Sequence, residues 1–170
     1  MKLKDLNALF LYELKDLYSA EKQLTKALPK MAKAASNDGL RQAFENHLKE
    51  TETQIKRLDD VFKELDASPR GAKCAAMEGL IEEGKELIEQ EAEPPVRDAG
   101  LICAAQRVEH YEIAGYGCVR SLAQQLQMNR LAAELQETLD EEKKANEKLN
   151  ELALGGINEE AMTASHAGSV

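Results

Sequence analysis

The sequence contains no tryptophan, and aromatic residues make up only 4% of it. Its apolar mass is leucine and alanine, which suits closely packed helices better than a β-sandwich built on β-branched and aromatic side chains. No apolar run approaches the roughly 20 residues that span a bilayer. The stretch from Met1 to Asp16 also lacks the basic-then-apolar layout of a secretory leader, so a cytoplasmic protein with no membrane partner is expected. A surplus of positive charge is missing too: the net charge is −9 and the pI about 5.0. Lys and Arg are scattered among acids, which argues against a nucleic-acid partner. Cysteine is represented by Cys74, Cys103 and Cys118. An odd number with no C-x2-C pair encodes neither a disulfide framework nor a thiolate zinc site, so buried free thiols are expected.

At 170 residues, 43% of them hydrophobic and 31% charged, the chain has the composition of one globular domain. Leu3, Leu6, Phe10, Leu17, Leu24, Leu28 and Met31 keep one side of a helix, and Pro29 predicts a kink rather than a stop because Ala32 and Ala35 hold the phase. The run Ser36-Asn37-Asp38-Gly39 ends this helix, and Asp38 is placed to cap the next. A second stripe runs through Leu40, Phe44, Leu48, Ile55, Leu58, Phe62 and Leu65. The few residues between these stripes predict an antiparallel hairpin. Residues 67–95 hold three of the four prolines and a short helical stretch from about Cys74 to Glu91, closed by Pro94-Pro95; this is a crossover connection. A third helix is expected from about Val96 to Leu126 and a fourth from about Met128 to Ala153, ended by Gly155-Gly156. The predicted organisation is a helical bundle over 1–154 and a flexible tail over 155–170. Two hairpins joined by one long crossover is the connectivity of ferritin-like four-helix bundles.

The informative positions are those where the apolar stripes are interrupted. Glu21 lies in the buried strip between Leu17 and Leu24, and Glu142 between Leu139 and Leu149, with Glu141 at the edge. An unpaired buried carboxylate costs several kcal/mol, so a shifted pKa, an ion pair or a metal must offset it. Helix two turns His47, Thr51 and Gln54 inward, with Glu50 on the flank. In helix three, Glu109 and His110 straddle the inward direction set by Gln106 and Ile113, and Glu112 lies farther round. All four helices thus offer an acid near the middle, and His47 and His110 add imidazoles, which matches what two divalent cations require. The metal candidates are Glu21, His47, Glu50, Glu109, His110, Glu112 and Glu142, with two ions expected, iron first and manganese as an alternative. A metal-free network of the same acids with His47, Gln54 and His110 is the competing reading.

Four segments carry a family resemblance: Tyr18-Ser19-Ala20-Glu21-Lys22-Gln23-Leu24, His47-Leu48-Lys49-Glu50-Thr51-Glu52, Cys74-Ala75-Ala76-Met77-Glu78-Gly79-Leu80 and Val108-Glu109-His110-Tyr111-Glu112-Ile113-Ala114. In these the chain resembles the YciE/YciF family of bacterial ferritin-like proteins, from about Leu3 to Leu152. The resemblance implies a ferritin-like fold, a dinuclear metal centre, a homodimer and a place in bacterial stress responses, with the biochemical activity unsettled. It departs from the usual ferritin-like signature of two Glu-x-x-His pairs: His47-x-x-Glu50 has the reversed order, and Ala145 stands where a His would follow Glu142. The expected function is a di-metal carboxylate protein that oxidises iron or reduces peroxide. The alternative is a metal-free structural or interaction protein forming a helical homodimer.

Overall fold

The computed structural model describes residues 3–167, with side chains through 164. Asp5 caps the first helix by accepting the Ala8 N–H at 2.8 Å. That helix, α1, runs over Leu6–Ala34 and carries Pro29 inside it. Asn37, rather than the expected Asp38, caps α2 (Asp38–Glu64) by accepting the Leu40 N–H; Asp38 is already its first helical residue. The crossover contains α3 (Ala75–Glu89), anchored at its start by hydrogen bonds from the Cys74 N–H to Ser19 and from Gln23 to the Cys74 carbonyl. Helix α4 spans Pro94–Gln125 and α5 Asn129–Leu152. Pro94 and Pro95 open α4 rather than merely breaking the chain, because the first helical turn needs no N–H from them.

The chain directions follow from the pairings. Asp98, near the start of α4, accepts the Ser36 and Asn37 N–H groups at the end of α1, at 2.8 and 2.7 Å, while Tyr116 reaches Glu21. Helices α1 and α4 are therefore antiparallel. Gln54 meets Glu142 and Arg57 meets Thr138, which makes α2 and α5 antiparallel as well. With α1 beside α2 and α4 beside α5, each helix of the ring α1–α2–α5–α4 opposes its neighbours, and α2 and α4 share one direction. Only a connection running the length of the bundle can join two helices of the same direction. The segment holding α3, packed on α4 and α1, is that connection, and the fold is a ferritin-like four-helix bundle.

Beyond residue 154 the chain departs from the expected tail. A wide turn at Ala153–Ile157 sets Gly156 at φ 144° and sends the chain into α6 (Asn158–Ala167), which packs on α4. Ile157 is buried with Leu149 and Ala153 in the core. The two glycines thus redirect the helix instead of ending the ordered chain, since φ near +144° is open to glycine and strained for other residues. Residues 168–170 of the expected tail lie outside the described residues.

The apolar core is divided. One cluster holds Leu24, Leu28, Met31, Leu40, Phe44, Leu101, Val108 and Leu149, and the other Phe10, Leu14, Leu17, Leu58, Phe62, Tyr116, Val119 and Leu139. On every helix of the ring the gap between them is polar: Glu21 on α1, His47, Thr51 and Gln54 on α2, Glu109 and Glu112 on α4, Glu142 on α5, all buried. No helix among the described residues is long and apolar enough to cross a membrane.

Candidate metal centre

The polar layer takes one to three residues from each helix of the ring, placed by phase. A residue in an α-helix turns about 100° from its predecessor, so Glu109 and Glu112, three apart, share the inward face of α4. His110 is carried outward and is exposed. This corrects the sequence expectation that His110 straddles the inward direction. The buried face of α4 runs through Ala105, Val108, Glu109, Glu112, Tyr116 and Val119, and the assumed markers Gln106 and Ile113 lie only half inside.

His47 is the imidazole at the centre. Its Nε2 stands 3.4 Å from Glu109 Oε1 and 3.7 Å from Glu142 Oε2, and its Nδ1 3.5 Å from Glu50 Oε2. These separations are too long for good hydrogen bonds. One ligand atom from each of His47, Glu109, Glu112 and Glu142 lies within 4.8 Å of all the others. Donors bonded at about 2.0–2.2 Å to one divalent ion stand at comparable separations from one another. Glu21 joins from α1, its Oε1 accepting a hydrogen bond from the Tyr116 hydroxyl. Glu50 sits at the rim with half its side chain exposed (51%), its carboxylate turned toward His47.

Many of the buried polar atoms have no hydrogen-bond partner among the described residues: Glu21 Oε2, both His47 nitrogens, Glu109 Oε2, both Glu112 oxygens and Glu142 Oε2, together with Thr51 Oγ1 and Gln54 Oε1. Orphaned polar atoms of this kind are costly, and here they gather in one place. The electrostatics carry the same signature. Burial, opposed by the Tyr116 hydrogen bond and His47, raises the Glu21 carboxyl to about 7. Burial also pushes Glu109 up, and pushes Glu112 and Glu142 well above the usual carboxylate range; for Glu112 the neighbouring Glu21, Glu142 and Glu109 add to it. Burial pulls the His47 imidazole down, but Glu109, Glu50, Glu142 and Glu21 outweigh it and raise the imidazole to about 10. Burial and the crowding of like charges thus favour protonated carboxyls in the layer, while the same acids favour a protonated His47 imidazole. A divalent cation could take the place of those protons, and hard oxygen donors with one imidazole make a donor set for such an ion.

Sequence reasoning missed Tyr116 as the partner of Glu21 and Arg57 as the partner of Glu141. Tyr116 falls on the stripe of α4 one turn after Glu112, but a hydroxyl gives no periodic signal of its own. The cysteines divide otherwise than expected: Cys74 is buried, while Cys103 and Cys118 are exposed.

A family model described as a domain of unknown function, DUF892, matches residues 5–162. The chain belongs to this family. A DUF892 relative, protein YciF of Escherichia coli strain K12, is 51% identical over 162 residues, which is 95% of this chain and 98% of that protein. The crystal structure of YciF, described there as an E. coli stress protein, superposes with a TM-score of 0.88 at 52% identity over 91% of this chain and 98% of the other. YcfI of Rhodopseudomonas palustris, described as a candidate structural protein, matches with a TM-score of 0.85 at 46% identity, covering 88% of this chain and 95% of its own. This chain is therefore of the YciF family, as its sequence motifs imply.

Proposed function

We propose that this protein is a di-metal carboxylate protein of the bacterial stress response, its two ions, iron before manganese, held by Glu21, His47, Glu109, Glu112 and Glu142, with Glu50 completing the set from the rim. The observation that carries the reading is the cluster of unpartnered buried oxygens and imidazole nitrogens, drawn from all four helices of the ring. Bound iron would supply redox chemistry, in which ferrous iron is oxidised or peroxide reduced. The chain's own part is to bind and to shield. Tyr116 fixes one oxygen of Glu21, Gln54 donates to Glu142, and the two apolar clusters close the layer above and below. A cleft of about 530 Å³ between α2 and α5 reaches His47 and Glu109, which gives the layer a route to solvent. The association with stress rests on the description of YciF, and a cytoplasmic homodimer is part of the same proposal on the strength of the family resemblance.

Metal analysis of protein purified without chelators tests this reading, paired with Glu21→Ala. Stoichiometric iron or manganese, lost in the variant, is the expected result; its absence in the wild type defeats the proposal. A metal-free structural role is the second reading. It is favoured by the ability of the acids to stay protonated when buried and by the description of YcfI. It predicts no metal and a melting temperature that is indifferent to chelator.

A further inference from the structure

Glu141 and Glu142 are adjacent on α5 and so point about 100° apart, Glu142 into the polar layer and Glu141 into the seam with α2. One side chain joins them. The Gln54 amide nitrogen donates to Glu142 Oε1 and, at 3.2 Å, to Glu141 Oε2. Both of its hydrogens are thereby committed, and the amide cannot turn over without leaving buried donors unpaired. Glu141 is itself held from the surface side. Arg57, one turn after Gln54 on α2, forks onto it with Nη1–Oε2 at 2.8 Å and Nη2–Oε1 at 3.0 Å, and Nη1 also donates to Thr138. Such two-point pairing fixes direction as well as distance. The side chains of Arg57 and Glu141 remain 15% and 30% exposed, so an unbroken chain of contacts runs from the surface to the centre of the bundle.

We infer that Arg57, Glu141 and Gln54 form a positioning clamp for Glu142, so that the metal affinity of the buried layer depends on a salt bridge at the α2–α5 seam. The inference rests on the metal reading above. None of the three needs to touch the ions. Their contribution is to hold the Glu142 carboxylate in one orientation before a cation arrives, and partners of this outer kind alter metal affinity by roughly 10–100-fold when removed.

The test is titration of the chelator-treated full chain with Co2+ alone, followed by visible absorption, alongside the melting temperature of the metal-free protein. Arg57→Met and Glu141→Gln should each weaken Co2+ binding by about 10–100-fold and alter the ligand-field bands. The double variant should be no weaker than the worse single, as expected of one unit. Arg57→Lys keeps the charge without the fork and should fall between; it carries the test if Arg57→Met does not fold. Arg130→Met, which breaks an ion pair with Glu64 across the same helix pair at a distance from the layer, should leave Co2+ affinity unchanged. If the Arg57 and Glu141 variants melt lower yet bind Co2+ as the wild type does, the pair is a structural salt bridge and the clamp is refuted. If the wild type binds no Co2+, the metal reading falls first and the clamp with it.

Discussion

Replacing Glu112 with glutamine should stabilise the metal-free protein and remove most of the stabilisation that metal confers. Glu112 is fully buried, neither of its oxygens has a hydrogen-bond partner among the described residues, and it faces Glu21, Glu142 and Glu109. Its carboxyl is held well above the ordinary value of 4.5, first by burial and then by those neighbours. A carboxyl whose pKa rises on folding takes up a proton when the chain folds. Stability is therefore unaffected below the unfolded value near 4.5, falls by about 1.4 kcal/mol per pH unit above it, and levels off at the native pKa. Glutamine has the same shape and needs no proton, so the variant escapes this loss. A gain of about 1–3 kcal/mol at pH 8 is expected, from relief of an unsatisfied buried group. For a chain of this length that is a rise of roughly 2–10 °C in melting temperature. Calorimetric melts of chelator-treated wild type and Glu112→Gln at pH 5 and pH 8, each with and without Mn2+, measure it. The variant should melt higher than wild type at pH 8, the difference should shrink at pH 5, and Mn2+ should raise the wild type far more than the variant. Equal melts at both pH values, or equal stabilisation of the two proteins by Mn2+, would refute the reasoning.

Metal uptake should tighten as pH rises from about 6 to 8, because Glu21, raised to about 7, and Glu112 and Glu142, pushed well above the usual carboxylate range by burial, must lose protons to bind; calorimetry in buffers of different ionisation enthalpy should show proton release, and uptake independent of pH would contradict it. His110→Ala should leave metal content unchanged and stability within about 0.5 kcal/mol of wild type, since His110 is exposed; loss of metal in this variant, read by elemental analysis, would restore His110 to the site. Gly156→Ala should cost about 1–2 kcal/mol through strain at φ 144°, read as a lower midpoint in urea; an unchanged midpoint would mean the turn can relax into another conformation.

The bundle was legible in the sequence because α1, α2 and α5 each bury one face, so the apolar stripe fixes the phase. Glu21 and Glu142 were read correctly from that phase alone, and both are fully buried. Helix α4 resisted the same treatment. It packs against α1, α3, α5 and α6, and its exposed face mixes Cys103, Ala114 and Cys118 with Arg107 and His110, so no polar stripe marks its outside; a phase error of one residue then set His110 beside the inward direction and Glu112 farther round. The segment after Gly155 was misread for a different reason. Its composition offers little to bury, yet one residue, Ile157, is enough to seat the turn in the core, and a glycine pair can redirect a helix as readily as end it. The partners of the acids, Tyr116 and Arg57, come from helices distant in sequence, and only the packed bundle brings them to Glu21 and Glu141.

If the layer dividing the core holds a pair of metal ions, as proposed, the ions should be visible by their own scattering. Anomalous scattering at the iron and manganese edges, from crystals grown without added metal or chelator, tests that proposal most directly. Two peaks are expected within the layer bounded by Glu21, His47, Glu109, Glu112 and Glu142. A well-ordered layer with no anomalous peak at either edge, in crystals of protein that also carries no metal in solution, would contradict it.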